Sequence, residues 1–594
     1  MGTDIYANRN VALRDIPLTS AYFRKQTAAF LNDRGLSPTD LPEYMAGIYD
    51  EADESLLACG GVDGSTIKCL AVDPEVRQLN LAGKLVTHLT DRAMRRTGTV
   101  NVTVFTKPEN LELFRSMGFH PVGQAREAIM MERDRHALTR YTDYLKTLRH
   151  EGICGAIVMN ANPLTRGHLH LIDEARKRTD HLYIILVSDH KLNMFGYSER
   201  KAMLQEALRG MNDVTMVEGS IYSVSAATFP SYFIKEKDKT TEAHIELDLD
   251  IFSRHLAPAL GVTVRFVGHE PLDLLTAAYN EGMHRLLPPR GIAVTEVQRL
   301  RTDAAAEVPF ISASVVRSLL TKGETAKALA MAAPTATPYI LAKAATAALR
   351  AELELTPKPG LVDRENNGAH RDMDYALMAR SIEALEPAFR EIALTAHRME
   401  LPDCTELARI GREGEAQMLQ ATGDVNTHKG ALFALGLTTA AAAHLLAKGD
   451  RISPDALQKT IARLAANFPR PEATHGAAAR RKYGAQGALD NALTGYATLF
   501  DDWLPYLQHV KIRPEARHLL LLRIMTAIDD TNVLHRAGKE AAEDVKRQAA
   551  ALLENFSADA LQAMDRDFTA RNISPGGAAD MLALTLYVAG VCGG

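Results

Sequence analysis

Thr165, Gly167 and His168 form a T-x-G-H where an apolar run, Gly155 to Met159, gives way to a helical pattern carried by Leu169, Ile172 and Ala175. Those residue types suit a nucleoside triphosphate. Glycine lets the backbone approach a phosphate, a helix N-terminus supplies free N–H groups, and the imidazole adds a donor. Further on, Ile311-Ser312-Ala313-Ser314-Val315-Val316-Arg317 sets hydroxyls at a helix start with an arginine one turn later, an arrangement suited to β- and γ-phosphates. Beyond residue 350 lies an unrelated set of polar clusters. They are Thr356-Pro357-Lys358-Pro359-Gly360-Leu361-Val362-Asp363 with Gly368-Ala369-His370-Arg371-Asp372-Met373-Asp374, Asn426-Thr427-His428-Lys429-Gly430, His475-Gly476, Asp529-Asp530-Thr531-Asn532 with His535-Arg536, and Ser574 to Asp580. Acidic residues beside glycines, interleaved with Lys, His and Arg, point to a Mg²⁺–polyphosphate site between helices. Two chemistries are expected on one chain.

The elements that must position these residues fall into three stretches. Residues 1–147 read as mixed α/β, with a strand at Thr66 to Val72, a helix from Leu81, a β-rich run from Val100 and a short helix after Asn110. Residues 148–333 alternate strand and helix, with strands expected at 155–159, 182–188, 214–218, 262–267 and 292–297. Such alternation predicts a doubly wound parallel sheet with the ligand at the carboxyl ends of its strands. The Pro/Thr/Ala stretch from Ala332 to Pro338 reads as a linker, and residues 334–594 then read as one all-α domain, rich in alanine and leucine.

At 594 residues the chain exceeds a single core. A net charge of −5 gives no support for nucleic acid or an anionic membrane surface as partner. Five scattered cysteines without a CxxC suit structural thiols in a reducing cytoplasm. The polar N-terminus does not read as a signal peptide. The apolar stretch Leu437 to Ala447 is shorter than the ~20 residues a membrane span needs and holds His444.

Several resemblances sharpen this reading. Val72-Asp73-Pro74, the loop Gln78 to Gly83, and Asn110 to Phe114 with Met117-Gly118-Phe119 resemble the GNAT acyltransferase fold over roughly residues 15 to 135. Leucine stands at the first glycine position of that family's pyrophosphate loop. The T-x-G-H and I-S-x-S-x-x-R pair, with Ser198-Glu199-Arg200, resembles the nucleotidyltransferase superfamily. Ala227 to Phe233, Gly268-His269-Glu270-Pro271, Tyr279-Asn280 and Leu287 to Gly291 are similar to citrate lyase ligase, itself a GNAT-like domain followed by a nucleotidyltransferase domain. This resemblance implies that acetate and ATP give acetyl-adenylate and pyrophosphate. The acetyl group then passes to the thiol on citrate lyase's acyl carrier subunit. Acetate is its own nucleophile, so the protein has only to orient it and stabilise charge on the transferring group and leaving pyrophosphate. His168 and Arg317 are expected in that role. Asn162, Thr165, Gly167, Arg200, Ser312 and Ser314 are expected around the ATP phosphates, and Gly268 and Glu270 in a further binding role.

The helical clusters resemble triphosphoribosyl-dephospho-CoA synthase over roughly residues 340 to 594. In that family the 2′-hydroxyl of 3′-dephospho-CoA attacks the ribose C1′ of ATP, and adenine leaves. The resemblance implies catalytic carboxylates among Asp363, Asp529 and Asp530, and metal-binding ones among Asp372, Asp374, Asp530 and Asp580. It implies nucleotide contacts from Lys358, Asn426, His428, Lys429, His475, Asn532 and Arg536. ATP with Mg²⁺ is the expected nucleotide, and a separate transferase must attach the product to the carrier. Three alternatives stay open. The middle domain could adenylylate a phosphopantetheine- or nicotinamide-like substrate, the synthase could serve malonate decarboxylase, or the chain could dock the carrier with one domain inactive.

Overall fold

The computed structural model of the chain describes residues 10–38, 41–188, 193–223, 229, 233–234, 237–270, 273–302, 310–469 and 487–593. Two compact units divide it. One holds residues 1–162 and 167–310, and the other holds 163–166 and 311–594.

The first unit contains two sheets. The N-terminal one has seven strands, β1 (Val11–Ile16), β2 (Tyr44–Asp50), β3 (Leu56–Asp63), β4 (Thr66–Val72), β5 (Thr103–Thr106), β6 (His120–Gln124) and β7 (Ile129–Glu132), in the order β1-β2-β3-β4-β5-β7-β6. Neighbours are antiparallel except β4 and β5, which run parallel and pair only over Thr66–Ile67 and Thr103–Val104. The second sheet comprises β8 (Cys154–Met159), β9 (His181–Leu186), β10 (Val214–Glu218), β11 (Val262–Gly268) and β12 (Ala293–Val297), in the order β10-β9-β8-β11-β12. All its neighbours are parallel, as expected of apolar strands separated by helices. The strand order reverses beside β8. The cleft outside the carboxyl ends of β8 and β11 is therefore the switch point at which such sheets bind ligands. Neighbouring side chains close tightly over β8 at Gly155. A Cβ at Gly155 would stand 2.7 Å from Thr179 and 2.8 Å from Phe266, so a side chain there would force the strand away from its neighbours.

The two sheets share one core within this unit. Phe105, Val122 and Met130 cluster with Tyr183, Ile185, Leu247, Ile251 and Leu256. Polar ties cross the same seam. Asp250 accepts from the Gln124 N–H at 3.0 Å, and the Tyr222 hydroxyl donates to Glu132 at 2.6 Å.

From Ile311 onward the described residues form helices. The longest span Thr337–Leu353, Tyr375–Ala396, Cys404–Thr422, Lys429–Ala447, Thr531–Glu554 and Gly576–Cys592. Lys429–Ala447 is long and apolar enough to cross a membrane by length and composition, with mean hydropathy 1.6, but 78% of that stretch is buried. It packs against Thr337–Leu353, Tyr375–Ala396 and Gly576–Cys592, and is longer than the Leu437–Ala447 run suggested. The expected linker is also corrected. Pro334–Ala336 form a helical turn and Thr337-Pro338 begin the next helix, with Ala332, Ala333 and Ala336 buried. The two prolines stand at first-turn positions, where a missing N–H costs nothing, so a stretch that reads as a breaker is a helix start.

Candidate active sites

In the first unit the chain leaves β8 through Asn160, Ala161 and Asn162. Ala161 has φ +50°, a left-handed conformation that costs a non-glycine residue energy and is stored where surrounding bonds over-determine it. Those bonds are visible. Arg200 is fully buried, and its Nη1 donates to the Asn160 carbonyl at 2.7 Å, the Asn160 side-chain oxygen at 2.6 Å and the Val187 carbonyl at 3.0 Å. Asn162, 3% exposed, donates to Asn193 at 2.6 Å and accepts from the Phe195 N–H at 3.1 Å. Both were expected at phosphate. Both instead hold the carboxyl ends of β8 and β9 in place, since their polar atoms are engaged by the protein's own loop.

Gly167 and His168 open the helix Arg166–Arg176. Burial, and then the nearby Arg299 cation, lower the His168 pKa to about 4, so the imidazole is neutral and donates or accepts as such. Arg299, just past β12, donates to the His269 carbonyl at 2.8 Å and forms an ion pair with Glu270, which follows β11. Glu270 also accepts from the Asp273 N–H at 3.2 Å, and Asn280 donates to the Gly268 carbonyl at 3.0 Å. His168, Arg299 and Glu270 thus gather at the switch point. Sequence reasoning missed Arg299. Its position after a strand of a parallel sheet was the available signal. Residues 227, 228 and 230–232 of the citrate lyase ligase-like stretch, and Pro271, lie outside the described residues.

Thr165, Ser312, Ser314 and Arg317 belong to the second unit. Thr165 is buried and bridges Ala332, the Ala333 N–H donates to Leu164 at 3.1 Å, and Arg166 donates to Ala330 at 3.2 Å. Ser312 and Ser314 share a hydrogen bond of 2.7 Å at the start of Ala313–Thr321. Arg317, on that helix, is partly buried, which lowers its pKa.

Also in the second unit, a cleft of about 170 Å³ opens among the helices. Lys358, His370, Asn426, His428, Lys429, Asn532, Arg536 and Asp580 line it, together with Glu352, Ser574 and the apolar Leu349, Leu361, Met373 and Met378. The N-terminal ends of Lys429–Ala447 and Gly576–Cys592 face it, offering N–H groups and positive dipole ends. Glycine is required twice. Gly360 has φ +71°, and a Cβ there would lie 2.1 Å from the Ile573 carbonyl. A Cβ on Gly430 would lie 2.1 Å from the Asp580 carboxylate, so only glycine admits that carboxylate to the helix end. Burial, together with the charges of Asp530 and Glu352, raises the Asp580 pKa well above the usual carboxylate range, while the Ala431 N–H partly offsets this.

Other expected residues have different places. Asp363 is buried. One of its oxygens accepts from the Lys358 N–H at 2.8 Å and the other from those of Glu365 and Asn366 at 2.8 and 3.1 Å, so it folds its own loop. Asp529 is exposed and pairs with Lys546 at 2.6 Å. Asp530 caps Thr531–Glu554 through the N–H groups of Asn532 and Val533 and reaches the Ala578 N–H at 3.0 Å. Asp374 caps Tyr375–Ala396, and Asp372 is exposed with His370 at 3.7 Å. Of the expected carboxylates only Asp580 lines the cleft. Among the described residues no group of three or more His, Cys, Asp or Glu could hold a metal ion. Sequence spacing misled here because D-x-[N/T] at a helix start serves capping as well as chemistry. Lys358 is 1% exposed and locked to Glu352 at 2.5 Å, and Arg536 spends its Nη2 on the Ala369 carbonyl and Asn572. His475 lies outside the described residues. Asp565 was missed. It takes the Gly360 N–H and the Asn366 side chain, both at 2.9 Å, and ties the loop that carries them to the helix Ala558–Ala570.

A parallel sheet with a phosphate-type turn at its switch point, and a helical cleft ringed by cations and helix N-termini, define a chain that uses nucleotides twice. Residues 154–340 match the family model of the citrate lyase ligase C-terminal domain, and residues 338–593 match that of ATP:dephospho-CoA triphosphoribosyl transferase. The citrate (pro-3S)-lyase ligase of Escherichia coli K12 is 40% identical over 325 residues, covering 53% of this chain and 89% of that relative. The Klebsiella pneumoniae ligase is 40% identical over 278 residues, covering 46% and 80%. The 2-(5''-triphosphoribosyl)-3'-dephosphocoenzyme-A synthase of Klebsiella pneumoniae is 40% identical over 265 residues, covering 43% and 95%. The chain belongs to the citrate lyase ligase family in its N-terminal half and to the triphosphoribosyl-dephospho-CoA synthase family in its C-terminal half.

Proposed function

We propose that this chain is a bifunctional maturation enzyme of citrate lyase, with full-length homology to both enzymes on one chain as the observation that carries the reading. The ligase half uses acetate and ATP to acetylate the prosthetic-group thiol of the acyl carrier subunit, releasing AMP and pyrophosphate. The synthase half joins 3′-dephospho-CoA to the ribose of ATP and releases adenine. The step between them, attachment of the synthase product to the carrier, falls to a separate transferase.

In the ligase half, the T-x-G-H resemblance gives His168 the role of neutral donor to the transferring phosphoryl group, and the I-S-x-S-x-x-R resemblance gives Arg317, Ser312 and Ser314 the leaving phosphates. Arg299 fixes Glu270, and burial, with the Arg299 cation second, keeps His168 unprotonated. Residues 1–147 form a GNAT-like domain. Support comes from the mixed strand order and from the brief parallel pairing of β4 with β5. Domain boundaries near 147 and 333 follow from this reading.

In the synthase half, the helix ends at Lys429 and Gly576, with Lys429 and Arg536, take the triphosphate. The apolar wall of Leu349, Met373 and Met378 takes the base. The sugar then lies beside Asp580, whose raised pKa suits it to protonate the departing adenine. Mg²⁺ would arrive on the triphosphate. Among the described residues none forms a dedicated metal cage. Incubating the full chain with ATP and 3′-dephospho-CoA, without acetate or carrier, tests this half. Free adenine and a triphosphoribosyl product of matching mass are expected. A folded protein that releases no adenine would overturn the reading.

A further inference from the structure

At the base of the synthase cleft stands a polar relay that the proposed mechanism leaves unused. His428 is 3% exposed, yet it lines the cleft. Its Nδ1 is bonded to the Ser381 hydroxyl at 2.7 Å, and that hydroxyl is 2.6 Å from Thr427 Oγ1. Ser381 is completely buried on the helix Tyr375–Ala396. The other ring nitrogen, Nε2, is buried without any hydrogen-bond partner. A buried polar atom left unpaired costs on the order of 1–3 kcal/mol, so a native structure that keeps one beside a cavity keeps it for something that enters.

Burial and charge decide whether the ring is protonated. The buried Lys358 ammonium is close enough to disfavour a charged imidazole, and burial does so more strongly, lowering the His428 pKa to about 3. The ring is neutral. The neutral tautomer with its proton on Nδ1 donates to Ser381, whose own hydroxyl then donates to Thr427, and it leaves Nε2 an acceptor. That nitrogen cannot pair with a phosphate or a carboxylate, which have no proton to give. It suits a hydroxyl; the two substrates bring ribose hydroxyls from both nucleotides and one more from the pantoyl arm of 3′-dephospho-CoA, and the ribose hydroxyls are the ones that lie next to the reacting C1′.

We propose that His428 reads the sugar of a bound nucleotide, its Nε2 accepting a hydrogen bond from a ribose hydroxyl, and that Ser381 is the positioning residue that fixes the ring and its tautomer. This rests on the synthase reading of the same cleft. The two fail separately. Absence of adenine release by the unaltered chain defeats the synthase reading, whereas the arms below defeat only the assignment of His428.

The test uses the full chain and variants Ser381→Ala, Ser381→Thr, His428→Ala and His428→Phe, with adenine release measured on ATP, 2′-deoxy-ATP and 3′-deoxy-ATP. AMP formation by the ligase half and the melting profile serve as folding controls. Loss of the hydrogen bond is expected to lower kcat/KM about tenfold in His428→Ala and Ser381→Ala, with Ser381→Thr restoring most of it. The decisive readout is non-additivity. If the hydroxyl belongs to ATP, one deoxy analogue is penalised in the unaltered chain and not in His428→Ala. If it belongs to 3′-dephospho-CoA, both analogues stay additive and the KM for 3′-dephospho-CoA alone rises. Additive analogues with both KM values unchanged would overturn the proposal. So would a Ser381→Thr chain as impaired as Ser381→Ala. Should His428→Ala not fold, His428→Phe, which keeps a ring and removes both nitrogens, supplies the same comparison.

Discussion

Single atoms decide much of this chemistry. Gly430 is the sharpest case, because any side chain there meets the Asp580 carboxylate at 2.1 Å. Gly430→Ala is expected to push Asp580 out of the cleft and cut adenine release by roughly 10- to 100-fold, since a displacement near 1 Å at a reacting centre carries that scale of effect. Steady-state assay of adenine checks this, and an unchanged rate would remove Asp580 from the site. His168→Ala is expected to lower AMP formation by on the order of 100-fold or more, the loss typical of one donor to a developing charge. Quantifying AMP with acetate and the thiol-form carrier decides it. At this scale the sequence was readable where a residue type has few uses. His168, Lys429 and Asp580 were singled out by motif; Lys429 and Asp580 line the cleft, and His168 stands in the first turn of the helix after β8. It was not readable for Asp363, Asp374 and Asp530, because a carboxylate that caps a helix and one that binds a cation carry the same neighbours in sequence. Arg200 and Asn162 misled for a related reason. A motif residue can serve a site by holding its backbone, and only the partners at 2.6–3.1 Å distinguish that from contact.

Among the elements, the strands of the parallel sheet were legible almost to their ends, because buried parallel strands are short apolar runs between amphipathic helices. The linker was not, since proline at a helix start and proline in a loop look alike until the helix is seen. One knot between elements carries a further prediction. Asp530 caps Thr531–Glu554 and also binds the N–H of Ala578, in the first turn of Gly576–Cys592. Asp530→Ala removes a cap and leaves a buried N–H unpaired, so the synthase half should lose roughly 1–3 kcal/mol. Urea unfolding followed by a probe in that half measures it. Unaltered stability would show that the knot is dispensable.

The whole molecule should be sensitive to mild acid. His168 and His428 ionise near about 4 and about 3 in the folded chain, and burial also lowers His181, His370, His397 and His518. An unfolded chain takes up these protons near the ordinary 6.5. Their linkage therefore costs nothing above that value and removes stability as pH falls from about 6.5 toward 4. Asp530 and Asp580, raised by burial, act in the opposite sense. Six histidines outweigh them, and melting profiles between pH 7 and pH 5 should shift downward. A flat profile would mean that these rings are solvated. The central claim, two independent nucleotide chemistries on one chain, is tested most directly by separating AMP from adenine. The assay supplies the full-length chain with ATP, acetate, thiol-form carrier and 3′-dephospho-CoA together. The unaltered chain should form both products, His168→Ala adenine alone, and Gly430→Ala chiefly AMP. Loss of both products in either variant, or AMP retained in a substrate adduct, would contradict it.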